Sequence, residues 1–423
     1  MIGAIFMNNR KNKVIQNTLM LYILNIAKLA LPLITLPYLT RVLSVNSYGT
    51  VTYVRSIMTY MQLIVDFGFI LSATKDIVRS GKNKIRMGKI IGDVILGKLF
   101  LSLAALTVLL IMIMKIRILN NNVLFSLLSF IPIVLSIFLF DFLFRGLEKM
   151  QVISIRYVIM KGTSTFLTFF VIKNDSDLLW LPILDIFGTI IAVIWVFIKF
   201  RKLCIPIQFE GFGKVRRAIS DSNTYFISNI ATTAFGALNT VIIGILLTRK
   251  ETAYWSLVMQ MVNAIQTMYI PITEGIYPQM VRSREFKLIK KVMLIFMPLV
   301  FIGCIMVYFL SPFALFVIGG VKYVHVDILL RTMIPVLLFS FPSMLFGWPV
   351  LGAIDRVKET TISTIVATIV QCSGLLLLII LGQFTLINIA ILRGFTEFVL
   401  LTSRSVYCWR YRQEFSDYEN GVI

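Results

Sequence analysis

Hydrophobic positions along this chain neither alternate with polar ones nor mark a single helical face. They arrive in continuous Leu/Ile-rich blocks of roughly 20 residues, about what a helix needs to cross a bilayer's hydrocarbon core. Short polar stretches rich in Lys and Arg separate the blocks. Backbone groups in lipid must be satisfied internally, which leaves helices or closed barrels, and the blocks lack the dyad alternation of a barrel. The pattern predicts an all-α membrane protein with twelve spans, at 17–38, 48–74, 90–114, 122–144, 152–172, 178–199, 221–247, 252–279, 291–312, 327–354, 360–382 and 385–408. The first block runs past the length of a signal-peptide core and lacks a small-residue cleavage site, so it reads as a retained helix.

Composition agrees with this reading. Of 423 residues, 58% are hydrophobic and only 14% charged, and mean hydropathy is +0.88, well outside the range of soluble domains. The net charge of +21 would fit a nucleic-acid partner only if it formed a stripe or a separate domain, and it does neither. It is scattered over loops, and those loops alternate. With twelve spans, 28 basic residues fall on the side of the N-terminus and 8 on the other, which predicts both termini cytoplasmic in an inner membrane and contact with anionic lipids. Cys204, Cys304, Cys372 and Cys408 have no metal or redox spacing, and His325 is the single histidine. No metal site, nucleotide motif or cofactor is expected.

The longest basic loop, 200–220, divides the spans into lobes 1–199 and 221–408, followed by a tail at 409–423. A faint echo links the halves: Asn17-Thr18, Thr40-Arg41 and Tyr48-Gly49-Thr50 against Asn223-Thr224, Thr248-Arg249 and Tyr254-Trp255-Ser256. Six spans per half is an even number, so the two six-helix bundles share one orientation. A parallel pseudo-two-fold repeat with the substrate path between halves is expected. No loop is long enough to fold by itself, so the work is placed inside the membrane, as a transporter and not an enzyme.

Function is then argued from the residues that violate the apolar pattern. A charge at a helix centre costs about 2.5–3.5 kcal/mol on insertion scales and normally faces a bundle interior or a watery cavity. Lys28 and Lys161 fall near mid-membrane, while Lys98 and Arg55 lie where long stems can snorkel to an interface. Of the five basic residues that lie well inside spans, away from their ends, four are in the first half, the fifth being Arg393. That gathering predicts a cationic wall suited to a phosphate or diphosphate head group. Acids inside spans are Asp66, Asp141, Asp185, Glu274 and Glu397. Asp66 is a same-face partner for Arg55, where either pairing or ion coupling would fit. Asp141, Arg145 and Glu148 share one helical face, where a self-neutralising ladder and a substrate or gating role both fit. Arg393 and Glu397 make an i, i+4 pair. Glu274, between Pro271 and Pro278, is the preferred ion-coupling acid. Pro32 and Pro37 are expected to break the first helix, and Pro335, Pro342 and Pro349 the tenth.

The stretch Leu36-Pro37-Tyr38-Leu39-Thr40-Arg41-Val42-Leu43, with Tyr48-Gly49 and Asp66-Phe67-Gly68-Phe69, resembles the N-terminal signature of Wzx-type O-antigen flippases. Asp141-Phe142-Leu143-Phe144-Arg145-Gly146-Leu147-Glu148-Lys149-Met150 resembles their fourth-helix motif, with Arg145 where a Gln is common; Ile276-Tyr277-Pro278 also fits. The resemblance implies a two-lobed, twelve-helix transporter moving a polyprenyl-diphosphate-linked oligosaccharide across the inner membrane by alternating access, driven by an ion gradient. On matching positions it implies roles for Arg41, Asp66, Arg145 and Glu148; Lys28, Arg55, Lys161, Glu274, Arg393 and Glu397 rest on the burial argument. It further implies a polysaccharide polymerase and a chain-length regulator as partners, and action as a monomer. A multidrug exporter of the same superfamily would share the fold, but a cationic lobe suits organic cations poorly. A polymerase would need a sizeable external loop, which is missing.

Overall fold

A computed structural model describes the backbone of residues 2–415 and side chains from Met20 onward, apart from several positions between 224 and 237. The tail beyond 415 and the side chains of the echo residues Asn17, Thr18 and Thr224 lie outside the described residues. All regular structure among the described residues is helical. Among the described residues, nine helical segments are long and apolar enough to cross a membrane. The predicted spans at 152–172, 221–247 and 252–279 are helical too, the last of them in two pieces. The chain divides into two compact units, Met1–Ile230 and Ala231–Ile423.

Unit 1 comprises α1 (Ile2–Val42), α2 (Val45–Asp66), α3 (Phe69–Ser80), α4 (Lys84–Lys115), the short α5 (Arg117–Asn120), α6 (Val123–Leu135), α7 (Asp141–Gly146), α8 (Met150–Val171), α9 (Trp180–Arg201) and the start of α10 (Phe212–Leu246). Contrary to expectation, α1 is one continuous helix through Pro32 and Pro37. Thr35 and Thr40 donate their hydroxyls to carbonyls in those turns, Leu31 and Pro32 for the first and Leu36 for the second. α2 starts on Ser44, whose hydroxyl accepts from the Ser47 amide at 3.2 Å. It ends where Phe67 and Gly68 take positive φ (38° and 80°). Gly68 is required twice over, since a Cβ there would meet the Ser222 carbonyl at 2.8 Å.

The fourth predicted span is not one helix. α6 passes through a 3-10 turn (Ser136–Leu139) to Phe140, which is left-handed at φ 50°, and α7 then starts at Asp141. Between α9 and α10 the predicted 200–220 linker shortens to residues 202–211, and it is docked. Gln208 donates its amide to the Gly88 carbonyl of α4 at 3.2 Å, and the Glu210 carboxylate pairs with Lys89 at 2.7 Å. The close approach depends on glycine: a Cβ on Gly88 would sit 1.6 Å from the Pro206 carbonyl oxygen, and one on Gly92 2.0 Å from that of Gln208. The core of unit 1 packs Phe69, Ile77, Phe140, Leu143, Phe144, Ala192 and Val196 from α3, α7 and α9.

Unit 2 continues with α11 (Arg249–Thr267), α12 (Ile270–Ser283), α13 (Phe286–Gly319), α14 (Asp327–Thr332), α15 (Ile334–Leu345), α16 (Val357–Ile380) and α17 (Leu386–Arg410). Here the proline expectation holds. α14 and α15 are separate helices, and after Pro342 the backbone passes into a π-turn (Phe346–Leu351) with Gly347 non-helical at ψ −110°. Arg404 of α17 reaches the break and donates to the Ser343 carbonyl at 2.7 Å, beside the Phe346 amide that bonds to the same oxygen.

Candidate functional site

The charged residues of the first lobe converge. A cavity of about 530 Å³ opens inside unit 1, and its walls carry Lys28 (α1), Arg55 and Asp66 (α2), Lys98 (α4), Asp141 (α7), Arg156 and Lys161 (α8) and Asp185 (α9). That is five basic against three acidic side chains, a formal excess of two positive charges. Six helices contribute one or two charges each, so the set exists only when they pack. Uncharged walls are mixed, with Met58, Phe125 and Ile133 beside Thr59, Gln62 and Ser129. A polar enclosure of that size holds water.

Three cations are paired within the cavity. Lys98 donates to Asp66 Oδ1 at 2.7 Å, and Gln62 donates to Asp66 Oδ2 at 2.8 Å. Arg156 is bidentate on Asp141, its Nε 2.8 Å from Oδ1 and its Nη2 on Oδ2. Lys161 and Ser164 both donate to Asp185 Oδ1, at 2.9 and 2.8 Å. Lys28 rests over the Tyr157 ring, its ammonium 5.8 Å from the centroid. Neither Lys28 nor Arg55 has a salt-bridge partner among the described residues, and both side chains are exposed to the cavity. The arrangement offers two cations without a direct ion-pair partner among the described residues, flanked by three that have one.

Several expectations are corrected. Lys98 does not snorkel: it is 6% exposed, held by a carboxylate from a neighbouring helix. Asp66 pairs with Lys98 and not with Arg55, because eleven residues along α2 separate the two by about 16 Å despite a shared face. The Asp141–Arg145–Glu148 ladder does not form. Asp141 opens α7, Glu148 lies beyond its end at φ 55°, and Asp141 turns to Arg156, which the sequence reading did not single out. Arg145 and Glu148 are exposed outside the cavity, as is Arg41 at the last turn of α1. Glu274 is exposed on α12. Arg393 and Glu397 do pair, at 3.0 Å, and are buried in unit 2. Beside them a buried chain runs from Thr396 to Gln371 Oε1 at 2.7 Å and from Gln371 Nε2 to Asn239 Oδ1 at 3.0 Å, a network sequence spacing gave no reason to suspect. Asp185 and Arg156 could have been found by one signal: opposite charges at similar depth on consecutive spans.

Comparison with known proteins fits this geometry. At 13% identity the fold resembles a multidrug resistance MATE-family transporter of the MOP superfamily in its inward-facing conformation, with TM-score 0.66 over 94% of this chain and 100% of that one. It also resembles the lipid II flippase MurJ in an inward closed conformation, with TM-score 0.70 at 14% identity over 93% and 87%. The molecule is therefore a multi-pass helical membrane protein with the architecture of these transporters. Residues 14–284 match the family described as polysaccharide biosynthesis protein, and the chain belongs to it. Two curated relatives carry the name "Putative O-antigen transporter". That of Escherichia coli (strain K12) is 26% identical over 68% of this chain and 70% of its own length. That of Shigella dysenteriae is 25% identical over 64% and 68%. The likeness to O-antigen flippases seen in the motifs is borne out.

Proposed function

We propose that this protein is a flippase for a polyprenyl-diphosphate-linked oligosaccharide, the O-antigen repeat unit, carrying it from the cytoplasmic to the periplasmic leaflet of the inner membrane. The carrying observation is the cavity in unit 1, with Lys28 and Arg55 free of a direct ion pair among the described residues and three further cations beside them. Moving a diphosphate and several sugars through hydrocarbon unaided would strip charges and hydrogen bonds from water. A hydrated cationic cavity replaces that hydration while the polyprenyl tail stays in lipid. Alternating access of this cavity to the two faces would complete the cycle, and the names of the relatives support the substrate class.

In this reading the chain has twelve spans in two parallel six-helix bundles, with both termini cytoplasmic, and works as a monomer among anionic lipids, supplying a polymerase and its chain-length regulator. An ion gradient supplies the work, each charge crossing 100 mV contributing about 2.3 kcal/mol. Lys161 and Asp66 belong to the head-group site, and the Arg393–Glu397 pair and Glu274 are the coupling candidates in unit 2. Arg41, Arg145 and Glu148 would act at the cavity's approaches.

The test is complementation of a strain lacking its own flippase. Lys28→Ala and Arg55→Ala should each cut surface polysaccharide at least tenfold with protein levels unchanged. Normal polysaccharide in both would end the proposal. Efflux of cationic dyes by the wild type would point instead to a drug exporter.

A further inference from the structure

The three ion pairs in the cavity are not equivalent. The side chains of Lys98 and Arg156 are 7% and 9% exposed, so these two cations sit behind the wall, while their carboxylates, at 22% and 28%, reach it. Lys161 is 40% exposed and Asp185 23%, so this pair fronts the space a head group would occupy. One Lys161 proton is committed to Asp185 at 2.9 Å, and an ammonium has three. Asp185 has a second anchor, because the Ser164 hydroxyl donates to the same oxygen at 2.8 Å. Ser164 is itself buried and lies one turn from Lys161 on α8. The carboxylate is therefore held by a neutral donor as well as by the cation, and it keeps that donor if the lysine leaves.

We propose that Asp185 is a displaceable counter-ion. It neutralises Lys161 in the empty cavity, gives the lysine up to an incoming diphosphate, and stays parked on Ser164, where it repels the bound anion and favours its release. This rests on the head-group reading above and deepens it. Two consequences follow from charge. An anion must outcompete a carboxylate to take Lys161, so the multiply charged diphosphate is preferred over a singly charged one, and Asp185 becomes a specificity-determining residue. Release is also assisted, because the carboxylate reclaims its partner as the substrate leaves. A carrier needs both: binding strong enough to capture and weak enough to let go.

The experiment uses the full chain in nanodiscs of zwitterionic lipid, titrated with inorganic pyrophosphate and with farnesyl diphosphate, and compares translocation in the complementation strain. Asp185→Asn should bind pyrophosphate about tenfold tighter, since a like charge beside a bound anion is removed. It should also narrow the preference for pyrophosphate over a singly charged anion such as nitrate and lower surface polysaccharide. Asp185→Glu should restore wild-type behaviour. A purely structural role for Asp185 predicts weaker binding together with less polysaccharide, and that result, or unchanged affinity in Asp185→Asn, overturns the displacement. Should Asp185→Asn fail to accumulate, Ser164→Ala decides. Without its parking bond Asp185 holds Lys161 harder, so pyrophosphate binding weakens severalfold, and unchanged binding is the contrary result. A wild type that binds neither probe overturns both this inference and the head-group reading. A wild type that binds while Asp185→Asn gains nothing removes the displacement alone.

Discussion

Lys98 and Asp66 lie 32 residues apart on different helices, and their contact at 2.7 Å is what makes either tolerable inside the membrane. An isolated buried ammonium is costly, and a carboxylate from a neighbouring helix offsets it only while both are present. Asp66→Asn should therefore destabilise the purified protein by about 3–5 kcal/mol, the range for breaking a buried pair from one side. The double substitution Asp66→Asn with Lys98→Met should recover most of that loss. Thermal unfolding in detergent reads both, and a double variant no more stable than the single would mean the pair is not the source of the cost. The sequence showed that these residues are expensive. It did not show that Lys98 is paired and Lys28 is not, because that depends on which side chain a neighbouring helix brings within 4 Å.

Among the elements, the segment between α9 and α10 departs furthest from its appearance. A basic loop of that length reads as slack linker, yet residues 206–210 lie against α4 where Gly88 and Gly92 remove the side chains that would hold them off. Gly88→Ala should displace the strap, since its Cβ would meet backbone and not a movable side chain. The Gln208 amide, which donates to Gly88, should then exchange with deuterium faster; unchanged protection would show that the approach is looser than it looks. Charge contributes as well. The hydrogen bond from Lys89, with the charges of Lys89, Lys214 and Arg86, holds the Glu210 carboxyl below its ordinary range. A lowered carboxyl pKa stabilises above the unfolded value and is lost as pH falls through the folded one. Gln208 protection should therefore weaken on acidification below the usual glutamate range. Glu210→Gln should remove that pH dependence; the contribution is small because the group is exposed.

For the whole molecule, the charge asymmetry of the loops makes a claim the fold does not touch: which face is which. A reporter active only outside the cytoplasm should give signal when joined after Leu247 and none when joined after Arg410. Opposite signs would reverse the direction of transport proposed above. The segments themselves were legible because continuous apolar blocks of bilayer length have few other uses. Their internal breaks were legible only in part. Pro342 and Pro349 accompany a real interruption at Gly347, while Pro32 and Pro37 sit in an unbroken helix and Phe140 breaks a span with no proline beside it.

Sequence alone determined that this is a multi-pass helical membrane protein, where its helices run, and that its first lobe gathers most of the intramembrane cations. Hydrophobic length, loop charge and charge cost are local quantities, written residue by residue. Tertiary structure decided how those cations are used. Arg41 and Arg145 fall away from the cavity, Arg156 joins it, and Asp66, Asp141 and Asp185 each form an ion pair with one neighbour, while Lys28 and Arg55 have no direct ion pair among the described residues. Pairing is set by the rotation and separation of packed helices, and no spacing within one helix encodes it.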